Sequence, residues 1–102
     1  MIKLGVCSSV DNAALLKEIG FDYLELGMSS TSALSEEEFE ALRRKAERAG
    51  LPVLAMNGML PSDFHLCSDQ LDTQGLTAYL HKAFSRAQAL GVKTVVFGSG
   101  GA

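Results

Sequence analysis

The chain has little of what marks a nucleic-acid binder, a membrane protein or a secreted disulfide scaffold. Its 102 residues carry 9 Lys and Arg against 12 Asp and Glu, for a net charge of -3. No basic field exists to hold a phosphate backbone or an anionic bilayer. No apolar run approaches the ~20 residues that span a membrane. Met1-Ile2-Lys3-Leu4 opens at once on a strand-like run, without the charged, apolar and cleavage regions of an export signal. Cysteine is scarce, only Cys7 and Cys67, and not in C-x-x-C spacing. In such a chain they read as reduced thiols of a cytoplasmic protein. A dinucleotide fold wants G-x-G-x-x-G after its first strand, where Cys7-Ser8-Ser9-Val10 stands, and G-x-x-x-x-G-K-[ST] is absent. A receiver domain wants acids after strands one and three, and Cys7 and Asn57 occupy those places.

What is present is an ordinary globular composition, 47% apolar and 21% charged, in a length that suits one small domain. A repeat organises it. Glu18-Ile19-Gly20-Phe21-Asp22-Tyr23-Leu24-Glu25-Leu26, Arg48-Ala49-Gly50-Leu51-Pro52-Val53-Leu54-Ala55-Met56 and Ala89-Leu90-Gly91-Val92-Lys93-Thr94-Val95-Val96-Phe97 read alike. Each is a helix end, a glycine, one apolar residue and a short apolar run. Glycine just past a helix can adopt the left-handed conformation, so Gly20, Gly50 and Gly91 are expected as helix C-caps.

Helical periodicity leads into each glycine. Phe39, Leu42, Ala46 and Ala49 share one face, with Glu40 and Arg44 paired elsewhere, and Ser35 with Glu38 forms a capping box. Leu76, Leu80, Ala83, Phe84, Ala87 and Leu90 make a second stripe, begun by Asp72 as N-cap and with His81 on its outer side. A shorter first helix is expected to turn Leu15, Leu16 and Ile19 inward. The pattern predicts helices over about 11–19, 35–49 and 73–90 and strands over about 2–7, 22–26, 52–56 and 93–98. Strands that alternate with helices pair in parallel. The fold class is therefore α/β, β-α-β-α-β-α-β. The glycines fall 30 and 41 residues apart (20 to 50, 50 to 91), close to the ~30 residues per unit of a (β/α)8 barrel. The expectation is one unit over residues 1–102, the first half of such a barrel, with an open flavodoxin-like sheet as the alternative. A half-barrel exposes two sheet edges and an inner face to which Leu24, Leu54 and Val95 or Val96 would contribute. Pairing into a homo-dimer through that sheet would cover it.

In parallel α/β folds chemistry gathers where strands end. Glu25 lies inside an apolar strand, where an unpaired carboxylate is costly; it either points into a substrate pocket, or tips into solvent or pairs with a neighbouring Lys or Arg. Asn57 could donate to a hydroxyl-rich ligand, and Asn57-Gly58 is also a common turn pair. Gly98-Ser99-Gly100-Gly101 could cradle a phosphate or form a plain turn. Cys7 reads as a small buried hydrophobe. Asp63, His65, Cys67 and Asp69 match no zinc spacing and read as a solvated loop. No metal ligand and no catalytic residue is assigned.

These residues resemble a known family. Gly20-Phe21-Asp22-Tyr23-Leu24-Glu25-Leu26, Asn57-Gly58-Met59-Leu60-Pro61 and the passage from Ala87 through Phe97-Gly98-Ser99-Gly100 are similar to the sugar phosphate isomerases/epimerases of the xylose-isomerase-like barrel superfamily, which also includes endonuclease-IV-like enzymes. The resemblance spans essentially the whole chain. It implies metal-assisted proton transfer at a carbon next to a carbonyl, on a sugar or sugar phosphate. It places the metal ligands (for Mn, Mg, Co or Zn) on strands five to eight, so none is expected here and the fragment itself would be inactive. It implies that Glu25, Asn57, Gly98 and Ser99 line the substrate pocket. The competing reading is a stand-alone, non-enzymatic α/β binding or scaffold module.

Overall fold

The computed structural model describes residues 2–98. Four strands, β1 (Gly5–Cys7), β2 (Tyr23–Gly27), β3 (Val53–Asn57) and β4 (Thr94–Val95), form one parallel sheet in the order β1-β2-β3-β4. Each strand lies beside the one before it. A flavodoxin-like sheet would place β1 between β2 and β3, so the observed order rules out that alternative. Pairing extends past the outer strands' formal ends: Asp22 donates its backbone N–H to the Leu4 carbonyl at 2.7 Å, and Val96 donates to Met56 at 2.7 Å.

The connections are α1 (Ala13–Ile19), α2 (Met28–Ser32), α3 (Glu36–Ala49) and α4 (Thr73–Leu90), with a 3-10 turn over Val10–Asn12 ahead of α1. The expected caps are present. Gly20, Gly50 and Gly91 take φ of 119°, 72° and 82°, and their N–H groups bond back to the last helical carbonyls. Ser35 and Glu38 bond reciprocally at 3.1 and 2.9 Å, which satisfies two of the donors a helix start leaves open. Asp72 accepts from the Gly75 N–H at 3.0 Å.

One helix was not expected. α2 reads Met28-Ser29-Ser30-Thr31-Ser32, which has no apolar period and looks like a loop. Tertiary contacts make it helical. Met28 is completely buried, and Arg86 of α4 donates to the carbonyls of Thr31 (2.7 Å), Ser32 (3.3 Å) and Leu34 (2.7 Å). The Arg86 guanidinium also lies 4.9 Å over the Phe39 ring and 3.3 Å from Glu36, although its side chain is almost wholly buried. A cation at the carbonyls that close a helix is favourable in both charge and hydrogen bonding.

The core lies between the sheet and its helices. Leu24, Met28, Leu51, Val53 and Met56 are essentially fully buried, and Leu26, Ala46, Ala83 and Ala87 join them. Three expectations about facing are corrected here. Leu24 lies on the helix-covered face, not the open inner one, because β2 alternates with Leu24 and Leu26 buried and Tyr23, Glu25 and Gly27 half-buried. Leu15 and Ile19 are exposed and only Leu16 packs against the core. α1 flanks the edge strand β1 and packs beside α3, whose Lys45 pairs with Asp11 of the turn ahead of α1. At the other edge Phe84 is likewise exposed, whereas Ala83 and Ala87 carry the buried stripe of α4.

Candidate functional site

The strand register brings together side chains far apart in sequence. Cys7 stands beside Glu25, and Gly27 beside Asn57, so the ends of β1, β2 and β3 share one region. On the open face of the sheet Asn57 Nδ2 donates to Glu25 Oε2 at 2.8 Å. The Cys7 thiol donates to the same oxygen at 3.1 Å, and Asn57 Nδ2 lies 3.6 Å from Cys7 Sγ. Glu25 thus escapes the cost of an unpaired carboxylate inside a strand through neutral donors, not through the Lys or Arg that the sequence left open. The Asn57 amide, and then the Cys7 thiol, hold the Glu25 carboxyl below its ordinary value despite partial burial. Conversely, the bond to Glu25 and then burial hold the Cys7 thiol above its ordinary value.

Cys7 was expected as a buried hydrophobe, and it is exposed and hydrogen-bonded. Position at a strand end was the signal, since that is where parallel sheets gather polar side chains. Gly98 is exposed just past β4 at the sheet edge, and Ser99 lies outside the described residues.

Two loops are tied to the helical layer beside this region. Ser29 at the start of α2 donates its backbone N–H to the Gly58 carbonyl at 3.1 Å, joining the segments that follow β2 and β3. Tyr79 of α4 donates its hydroxyl to the Met59 carbonyl at 2.5 Å and packs on Phe64, with ring centroids 5.8 Å apart. Burial holds the Tyr79 phenol above its ordinary value, which keeps it a donor. One concavity of the helical layer lies away from Glu25. It measures about 320 Å³, is lined by Arg43, Ala46, Gly50, Leu51 and Leu90 among others, and opens where β3 begins. In barrels that end of the sheet serves stability.

The open-face group does not suit a metal. It offers one carboxylate, one thiol and an amide whose N–H₂ faces the carboxylate, and Oε2 already accepts twice. Among the described residues no three His, Cys, Asp or Glu side chains gather. Asp63, His65, Cys67 and Asp69 are exposed in the segment between β3 and α4. No described helix is long and apolar enough to cross a membrane.

The comparisons with known proteins agree with this geometry. A family profile described as xylose isomerase-like TIM barrel matches residues 13–102. The chain belongs to that family. Among solved structures it is similar to D-psicose 3-epimerase determined in the presence of D-fructose, with 16% identity, a TM-score of 0.72, and coverage of 92% of this chain and 36% of that one. It is also similar to 3-keto-D-glucoside 4-epimerase from E. coli in its apo form, with 18% identity, a TM-score of 0.74, and coverage of 97% and 38%. Among curated proteins, none matches the chain. The fold is therefore a partial (β/α)8 barrel, and the chain spans little more than a third of the length of these two structures.

Proposed function

We propose that this chain is the N-terminal half-barrel of a sugar or sugar-phosphate isomerase or epimerase, and that it supplies part of the substrate pocket. The observation that carries this reading is Glu25, a half-buried carboxylate at the strand ends with two neutral donors on a single oxygen. Its Oε1 carries neither of those bonds and can accept a sugar hydroxyl, and the Asn57 amide can offer its oxygen to another. Gly98 and Ser99 would contribute the loop beyond β4. Two neighbours in fold are sugar epimerases by name, which supports the substrate class.

Proton transfer next to a carbonyl needs a base and a polarised oxygen. The divalent metal that the resemblance implies would take its ligands from later strands, so this chain binds and orients without completing the reaction. Its two exposed thiols suit a reducing, cytoplasmic setting. As a separate polypeptide it would pair with a second copy. Leu15 and Ile19 beside β1, and Val96 and Phe97 after β4, are exposed at opposite edges. A two-fold axis would set each β4 edge against the other copy's β1 edge.

Titration with a ketohexose, followed by NMR, tests the pocket. Shifts at the Glu25 and Asn57 signals, with no deuterium exchange at the sugar carbons, are expected, and silence at both residues overturns the reading. Calorimetry with Mn or Zn should show no stoichiometric site. Light scattering across a dilution series should show a dimer that Val96→Lys with Phe97→Lys dissociates. A persistent monomer overturns the pairing.

A further inference from the structure

We propose that Cys7 is a positioning residue, which together with Asn57 clamps Glu25 by Oε2 and so presents Oε1 to a hydroxyl of the ligand. This rests on the reading above that Glu25 touches substrate. A carboxylate on an open sheet face would ordinarily rotate about its last torsion and exchange its two oxygens among solvent positions. Here that rotation is opposed from both neighbouring strands. Asn57 of β3 donates at 2.8 Å, and Cys7 of β1 donates at 3.1 Å to the same atom. The backbone enforces the arrangement. Cys7 and Glu25 are register partners, and the Ser8 N–H reaches the Glu25 carbonyl at 3.4 Å.

The thiol must carry its proton for this. A thiolate 3.1 Å from the carboxylate would set two negative charges together with only Asn57 Nδ2 between them. The ionisable group that faces Cys7 is Glu25 of β2; β3 contributes the uncharged Asn57. The Cys7 thiol is held above its ordinary pKa, first by its bond to Glu25, which fits a thiol that works as a donor and not as a nucleophile.

The test uses the 102-residue chain with Cys67→Ser, which leaves Cys7 as its one thiol. The rate of Cys7 alkylation by iodoacetamide is followed against pH. Its midpoint should lie above that of an unfolded control and fall when Glu25→Gln is added. A midpoint indifferent to Glu25→Gln overturns the clamp. The Glu25 carboxylate is titrated by carbon NMR in parallel. Its midpoint should rise in Cys7→Ala and return in Cys7→Ser, which restores a donor, with circular dichroism showing all three folded. No rise in Cys7→Ala also overturns the clamp. D-fructose binding should weaken several-fold in Cys7→Ala and recover in Cys7→Ser. Binding unchanged in Cys7→Ala sinks the positioning role and leaves the pocket standing. Absence of binding in every form, with the Glu25 titration behaving as expected, sinks the substrate reading alone.

Discussion

The two faces of the sheet differ in almost every respect. On the helix-covered face the row Val6, Leu24, Val53 is half-buried at the edge and nearly sealed at the centre. The next row, Cys7, Glu25, Ala55, Thr94, faces the other way, with its two end residues exposed, and β3 reaches it by a register irregularity that takes up one extra residue, Leu54. The first row holds apolar side chains that contribute about 2 kcal/mol each on burial. The second holds a carboxylate and a thiol, with Asn57 two residues beyond Ala55 on the same face. Stability and chemistry are thus divided by the two-residue period of β1 and β2, and in β3 by that period together with its register irregularity. The lesson is that one face can be varied for recognition while the other keeps the sheet together.

That division predicts the largest effect at Leu24. Leu24→Ala removes a fully buried side chain at the centre of the packed layer and should cost about 3 kcal/mol. Urea unfolding followed by circular dichroism measures it, and a loss within about 1 kcal/mol would mean that the layer collapses around the gap. Arg86→Leu comes next. It removes the guanidinium donor from the carbonyls of Thr31 and Leu34 inside the helical layer, at a cost of about 2 kcal/mol. Amide exchange should quicken in α2 far more than in α3, whose capping box is untouched. Equal quickening in both would show that α2 does not depend on Arg86.

The smallest effect is expected on the open face. Glu25→Gln should change stability at neutral pH by no more than about 1 kcal/mol. The Glu25 carboxyl titrates below its ordinary value in the fold, so its contribution is present above the ordinary carboxylate range and is lost as pH falls through the folded value. The gap between wild type and variant should therefore close in acid, as read from urea midpoints along a pH series. The Cys7 thiol has the opposite sign. It is raised, so its share is present below the ordinary thiol range and is lost as pH climbs through the folded value. A gap that widened in acid would break the assignment of Glu25 as a satisfied carboxylate.

Much of the fold was legible in the repeat. α3 and α4 are long, strongly periodic and capped by residues within four positions of their ends, so their signals are local. Glu25 and Asn57 were legible as polar residues at strand ends, and Glu25 also as a charge within an apolar run. Their contact was not, because nothing in a sequence measures the register between strands 32 residues apart. Cys7 was misjudged for the same reason: burial at a strand end depends on what the next strand places beside it. α2 escaped notice because serine and threonine favour caps and turns in isolation. The inward facing expected of Leu15 and Ile19 fails because α1 flanks the edge strand β1, where both side chains stay exposed.

The sequence by itself determined where α1, α3 and α4 stop, how the strands alternate with them, and hence a parallel sheet, because caps, periods and crossover lengths act over a few residues. The tertiary structure alone decided which polar groups meet. The Arg86 bonds to Thr31 and Leu34 span 55 and 52 residues, and the Asn57 contact with Cys7 spans 50. Such contacts form only after the sheet has set its register and the helices have packed, since only then does burial make an unpaired donor or acceptor costly.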